Sequence, residues 1–103
     1  MAEKTIAGVI VKVNDEGYFE NPAQWTKDMA IAMSSEVGLT LTDKHFAVID
    51  FLRKKFLEGD VLTIRKVGNS GIVDIKEFYQ LFPGGPLKLS SKLAGIPKPT
   101  SCI

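Results

Sequence analysis

The N-terminal part of the chain combines a β-branched stretch with a turn. Residues 5–13 (TIAGVIVKV) are rich in valine, isoleucine and threonine, and the four residues after them end in Gly17, which suits a turn that needs positive φ. Tyr18 and Phe19 then begin a short return strand. This pattern predicts a small N-terminal β-hairpin. Because two strands alone are only marginally stable in water, we expect one face of the hairpin to pack on helices.

Two amphipathic helices are predicted next. Asn21 is a good N-cap residue with a proline directly after it, and large apolar side chains then recur three or four residues apart until Gly38. The first helix is therefore predicted over residues 22–37. Thr42 begins the second, in which apolar residues again recur at helical spacing until Gly59 ends it.

Three shorter helices are predicted in the second half of the chain. The first covers residues 61–67, and the last covers residues 87–94. Between them, Asp74 followed by Glu77 resembles a capping box at the start of a helix. The buried face of that middle helix is predicted to consist of Ile75, Phe78, Tyr79 and Phe82.

The last eight residues, 96–103 (IPKPTSCI), carry two prolines. Proline lacks a backbone donor and biases the residue before it toward extended conformations, so this segment is predicted to be neither helix nor central strand. We expect residues 1–95 to form one domain and residues 96–103 to form a mobile C-terminal arm. At about 3.3 Å per residue, an extended arm carries the thiol of Cys102 roughly 25 Å from the domain.

Composition narrows the class of protein. The 103 residues are 45% apolar and 24% charged, as in ordinary globular domains, and the net charge of +1 gives no field that favours nucleic acid or an anionic membrane. No signal peptide or long apolar run is evident, so we expect a cytoplasmic protein without a membrane partner. A solitary cysteine forms no internal disulfide, which fits a reducing compartment.

Cys102 is the candidate reactive group. A structural cysteine is usually a small buried hydrophobe, whereas Cys102 follows a polar, proline-rich stretch one residue from the chain end. A thiol placed there meets partners easily and can relay sulfur as a persulfide, for which one cysteine suffices. The alternative is an incidental surface thiol. Three lysines lead toward it and are either a docking strip for an acidic partner or a solvated face: Lys88, Lys92 and Lys98.

Other chemistry has little support in the sequence. His45 is the only histidine, and serving as a base for Cys102 requires a contact that the sequence does not show. No spacing of metal ligands is present, so neither a metal nor a cofactor is predicted.

Three terminal strings resemble the signature of a known family, the DsrC/TusE sulfur-relay proteins. They are residues 81–86 (LFPGGP), residues 93–100 (LAGIPKPT) and the final Cys102-Ile103. The resemblance implies an α+β, mostly α fold: a small helical domain with a short N-terminal β-hairpin, a helix-turn-helix-like portion and a flexible C-terminal arm that bears the reactive cysteine. The hydrophobic periodicity agrees with that fold.

The resemblance also implies a function. A single-cysteine member takes persulfide sulfur from a TusBCD- or DsrEFH-like complex and passes it to a tRNA thiouridylase for 2-thiouridine synthesis, as a sulfurtransferase component of a relay more than a stand-alone enzyme. Family members that act with dissimilatory sulfite reductase carry a second arm cysteine. The corresponding position here is Ser91, eleven residues before Cys102, and serine cannot form a disulfide.

Two alternatives stay open. One is a role as a DsrC-like partner of sulfite reductase, or in sulfur oxidation, without the second cysteine. The other is a helix-turn-helix DNA-binding regulator that uses residues 61–82. In these residues the basic side chains alternate with the carboxylates of Asp74 and Glu77 and do not form the cluster of positive charge that DNA binding needs. The side chains that would face DNA are Arg65, Lys66, Asn69, Ser70 and Lys76.

Overall fold

The computed structural model describes residues 2–99 of the chain and begins with an antiparallel hairpin. Strand β1 (Ala2–Ile6) pairs with β2 (Val9–Val13). The turn lies at Ala7 and Gly8, both at positive φ (52° and 80°), as in the tight turns that suit hairpins. The predicted hairpin is confirmed, but its turn lies within residues 5–13 and not after them, because alanine gave no signal for this turn. The predicted turn before Gly17 does form, and Phe19 then bridges back to Val13.

The first predicted helix is divided in two. A single 3-10 turn, Pro22–Gln24, is followed by Trp25 in an extended conformation, and helix α1 covers Lys27–Glu36. The break occurs because Thr26 caps α1, its side chain accepting a hydrogen bond from the Met29 N–H at 3.2 Å. Helix α2, Asp43–Leu57, agrees closely with its prediction and begins from Thr42.

The remaining helices are short. They are α3 (Ile64–Gly68), α4 (Ile75–Leu81) and α5 (Pro86–Leu93). Helices α3 and α4 pack on each other and form the helix-turn-helix-like portion, and α5 contacts α1, α2 and α4. Among residues 2–99, no helix is long and apolar enough to cross a lipid bilayer.

The predicted buried face of α4 is half correct. Phe78 and Phe82 are fully buried, but Ile75 and Tyr79 are 44% and 49% exposed. Phe82 packs edge-on against both Phe78 and His45 of α2, so the buried contacts lie toward the C-terminal end of this seven-residue helix.

One hydrophobic core joins all the elements. Ile6 and Val11 of the hairpin are buried with side chains from every helix, which confirms that one face of the hairpin packs on the helical part. The strand residues between them, such as Ile10, remain exposed. The α+β, mostly α fold class is confirmed. Helix α5 contributes buried side chains to the core and contacts three other helices.

Candidate functional site

The C-terminal end of α5 is the point at which the chain leaves this helix, with eight residues between the helix and Cys102. Gly95 adopts positive φ (68°), its N–H donates to the Lys92 carbonyl, and the Ile96 N–H donates to the Ser91 carbonyl, each at 3.2 Å. This pair of bonds is a Schellman motif, which favours glycine at the left-handed position. Ile96 is 1% exposed and belongs to the hydrophobic core. The first residue of the predicted arm is thus packed on the domain.

The last two carbonyls of this helix end are bound by side chains from elsewhere in the fold. The Trp25 indole N–H donates to the Leu93 carbonyl at 2.8 Å, and Arg53 donates to the Ala94 carbonyl at 2.9 Å. A second guanidinium nitrogen of Arg53 donates to the Pro22 carbonyl at 3.1 Å. We call Trp25, Arg53 and Gly95 the tail clamp.

The members of the tail clamp also contact each other. The guanidinium carbon of Arg53 lies 4.4 Å from the centre of the Trp25 ring. Partial burial lowers the pKa of Arg53, while the charge of Asp50 opposes that shift. A side chain on Gly95 would lie 2.4 to 2.6 Å from atoms of Trp25, so only glycine fits. The apolar spacing of residues 22–37 gave no signal for the tail clamp, because the partners of Trp25 are distant along the chain.

A groove of about 510 Å³ runs along α5, from the loop before the helix to its last turn. We call it the α5 groove; its walls include Glu16, Tyr18, Leu39, Gly84, Lys88 and Lys92. The Tyr18 hydroxyl donates to the Lys88 carbonyl at 3.3 Å, and the Lys92 ammonium lies 5.0 Å from the centre of the Tyr18 ring. The groove therefore combines an apolar wall with two cationic side chains.

The structure brings two of the three predicted docking lysines together. Lys88 and Lys92, one turn apart on α5, both line the α5 groove. Lys98 lines a separate cleft of about 140 Å³, and its ammonium donates to both carboxylate oxygens of Glu16 at 3.0 Å. Since Glu16 belongs to the groove wall, this ion pair ties the chain after Ile96 to the groove edge. A docking role for the three lysines stays a prediction.

Cys102 lies outside the described residues, so its role and the predicted mobility of residues 96–103 stay predictions. Ser91, at the position of the second family cysteine, is described: it lies in α5 and is fully buried. Within residues 2–99 its hydroxyl has no hydrogen-bond partner.

The His45 ring forms contacts that connect two helices. One ring nitrogen lies 3.0 Å from the Thr42 backbone nitrogen and completes the capping box of α2. The other lies 2.8 Å from the Leu81 carbonyl, at the end of α4. Both ring nitrogens thus have partners inside the fold, and the ring joins α2 to α4. Residues 2–99 contain no group of three or more His, Cys, Asp or Glu side chains that could hold a metal ion.

The side chains predicted to face DNA are partly occupied within the protein. The Lys66 ammonium donates to the Asp60 carboxylate and to the Val61 carbonyl, and the bond to Lys66 lowers the pKa of Asp60. The Ser70 hydroxyl donates to the Val67 carbonyl. No finding supports DNA binding.

Comparison with known proteins shows which proteins this chain is similar to. The family model described as DsrC-like protein matches residues 5–103. The sulfurtransferase TusE of Escherichia coli K12 is 30% identical over 93% of this chain and 95% of its own. The solution structure of DsrC from Allochromatium vinosum superimposes with a TM-score of 0.83 at 33% identity, covering 99% of this chain and 100% of that one. The oxidized gamma subunit of the dissimilatory sulfite reductase (DsrC) from Archaeoglobus fulgidus gives a TM-score of 0.77 at 25% identity, over 99% and 100% of the two chains.

Proposed function

The chain belongs to the DsrC-like protein family and is a sulfur-relay protein, and from this premise we propose that Cys102 accepts persulfide sulfur from one protein and passes it to another. The observation that carries the proposal is the family match through residue 103, which includes the only cysteine of the chain. The tail clamp supports it, because it holds the chain at residues 95–96, a short distance before that cysteine.

The chemistry is two successive exchanges. The Cys102 thiolate attacks the outer sulfur of the donor persulfide, the sulfur–sulfur bond of the donor breaks, and the donor leaves as a thiolate. Cys102 then carries the persulfide until an acceptor thiolate attacks its outer sulfur and releases Cys102 as a thiolate. One sulfur atom moves at each step, a proton is exchanged with solvent, and no external oxidant or reductant is consumed.

The single cysteine favours a TusE-like relay, from a TusBCD- or DsrEFH-like donor to a tRNA thiouridylase, in the cytoplasm. Ser91 supports this choice, since a serine at that position excludes an internal disulfide or a sulfur bridged between two cysteines. The second candidate is partnership with a dissimilatory sulfite reductase, which the name of the Archaeoglobus protein favours. Both candidates use the same thiol and differ in the acceptor.

The α5 groove is the proposed docking surface for the protein partner. Lys88 and Lys92 give its wall positive charge, and Tyr18 and Leu39 give it apolar area. A partner segment that carries carboxylates beside apolar side chains matches both properties. Lys98 contributes by holding Glu16, which would otherwise add an unpaired negative charge to the same wall.

Sulfur loading tests the proposal directly. The protein is incubated with a cysteine desulfurase, its relay proteins and cysteine, and intact and peptide mass spectrometry then locate added sulfur. We expect one added sulfur atom, removable by a reducing agent, on the peptide that contains Cys102, and none on Cys102→Ser. The loaded protein is next offered separately to a tRNA thiouridylase and to a dissimilatory sulfite reductase, and the acceptor that gains sulfur decides between the two candidates.

Two outcomes would overturn the carrier function. One is the absence of the sulfur adduct with every persulfide donor tried. The other is an adduct that persists in Cys102→Ser. Ser101→Ala is the matched control, since it changes the neighbouring side chain and leaves the thiol in place.

A further inference from the structure

We propose that Trp25 and Arg53 are positioning residues that fix the point and direction in which the terminal segment leaves the domain, with Gly95 providing the only backbone that fits beneath them. The proposal rests on the carrier function of Cys102 and goes beyond it. It concerns three residues that are not themselves part of the sulfur chemistry.

The first argument is the completeness of the hydrogen bonding at this helix end. An α-helix leaves its last four carbonyls without partners inside the helix, and these are usually bound by water or by the turn that follows. Here the Schellman bonds satisfy the Ser91 and Lys92 carbonyls. The Leu93 and Ala94 carbonyls receive donors from Trp25 and Arg53, which come from two other parts of the chain.

The second argument is that the clamp joins three segments. Arg53, in α2, binds Ala94 after α5 and Pro22 in the 3-10 turn with separate guanidinium nitrogens. Its planar group also lies against the Trp25 ring. A lysine presents a single ammonium group and could not hold both carbonyls in this fixed geometry. The end of α5 is therefore held in place relative to the rest of the domain.

The third argument concerns reach. Ile96 is the last residue of the terminal segment that the core holds, and the exposed ion pair between Lys98 and Glu16 adds one surface contact two residues later. Six residue steps separate Ile96 from Cys102, which gives a maximum reach of about 20 Å at 3.3 Å per residue. Over such a short tether, a change in the starting point or direction displaces the whole volume that the thiol can visit. Transfer to a docked protein should therefore depend on the clamp.

The chain supplies a fluorescence donor and a labelling site for measuring the distance between clamp and terminal segment. Trp25 is the only tryptophan, and Cys102 is the only cysteine. An acceptor dye on Cys102 reports the distribution of Trp25-to-Cys102 distances through time-resolved tryptophan fluorescence. Each variant is referenced to its own unlabelled form, since Arg53 lies against the indole. The variants are Arg53→Gln, Arg53→Lys, and Lys54→Gln as the matched control, which removes one positive charge at the next, exposed position of α2.

We expect Arg53→Gln to broaden the distance distribution, Arg53→Lys to broaden it less, and Lys54→Gln to leave it as in the wild type. Hydrogen exchange of the Ile96 amide should accelerate by about tenfold or more in Arg53→Gln, since the carbonyl bonds beside the Schellman turn are lost. Circular dichroism establishes that each variant is folded. If Arg53→Gln does not fold, Arg53→Lys carries the comparison.

A functional measurement separates positioning from general weakening. With sulfur loaded on Cys102, transfer to a protein acceptor should slow by about tenfold in Arg53→Gln, while transfer to a small thiol such as dithiothreitol stays at the wild-type rate. Equal distance distributions and equal amide exchange in Arg53→Gln and Lys54→Gln would overturn the positioning role. The fluorescence and exchange measurements need no sulfur, so they decide on the clamp even if Cys102 proves unable to carry it.

Discussion

The two ends of helix α5 are built in opposite ways. At its N-terminal end, Gly85 precedes the helix without any side-chain cap, and the end opens into the α5 groove. Each of the other four helices within residues 2–99 begins from a side chain that accepts a backbone hydrogen bond. At its C-terminal end, the turn at Gly95 and the donors of Trp25 and Arg53 bind the last four carbonyls.

This difference gives the two ends of one short helix different proposed roles. The uncapped end keeps backbone donors and the partial positive charge of a helix N-terminus near Lys88, in the groove proposed to bind an acidic partner. The closed end uses its hydrogen bonds to hold the chain from which the last residues extend. A partner bound at one end and a tether fixed at the other would then share a common rigid element.

The strongest way to break the comparison is to add one methyl group at each end. Gly95→Ala must adopt positive φ and also overlap Trp25, so we expect the free energy of unfolding to fall by about 3 kcal/mol or more. Gly84→Ala adopts a similar φ (82°) with no atom within 4 Å of the new carbon, and we expect a loss of about 1 kcal/mol. Urea denaturation measures both, and equal losses would show that the closed end is not tightly packed.

Charge reversal of the lysines in the α5 groove sharpens the comparison. Lys88→Glu with Lys92→Glu should weaken binding of the sulfur donor or acceptor by about tenfold at low salt, and less as ionic strength rises. The unfolding free energy should fall by about 1 kcal/mol, because Lys88 is exposed but Lys92→Glu removes a cation–π contact with the Tyr18 ring. The control, Lys54→Glu with Lys76→Glu, alters the net charge equally at exposed sites outside the groove. If calorimetry gives both double variants the same affinity, the groove has no special role.

The smallest expected effect lies between the two ends, at neighbouring serines. Ser91→Ala removes a buried hydroxyl that has no hydrogen-bond partner within residues 2–99, so stability should stay equal or rise by up to about 1 kcal/mol. Ser90→Ala removes a buried hydroxyl that donates to the Pro86 carbonyl, and should cost about 1 kcal/mol. Thermal unfolding compares them. A clear loss of stability in Ser91→Ala would mean that its hydroxyl has a partner after all.

Much of the fold could be predicted because its signals are local. Thr42 and Asp74 cap the helices that they were predicted to begin, and Gly38, Gly59 and Gly95 end helices at positive φ. These features depend on residues a few positions apart, so the sequence displays them directly. The hairpin turn was misplaced because Ala7 carries none of the usual turn chemistry, and the break at Trp25 was missed because apolar periodicity continues across it.

The sequence by itself determined the fold class, the glycines that end several helices and the family resemblance, and it led to the prediction that Cys102 is the reactive group. Tertiary structure alone decided that Trp25 and Arg53 bind carbonyls 68 and 41 residues away, that Lys88 and Lys92 share a groove wall, and that Ile96 belongs to the core. The physical reason is that every helix ends in backbone carbonyls without partners inside the helix, whatever its side chains are. The donor that reaches each one is chosen by the packing of distant segments, and no local pattern records that choice.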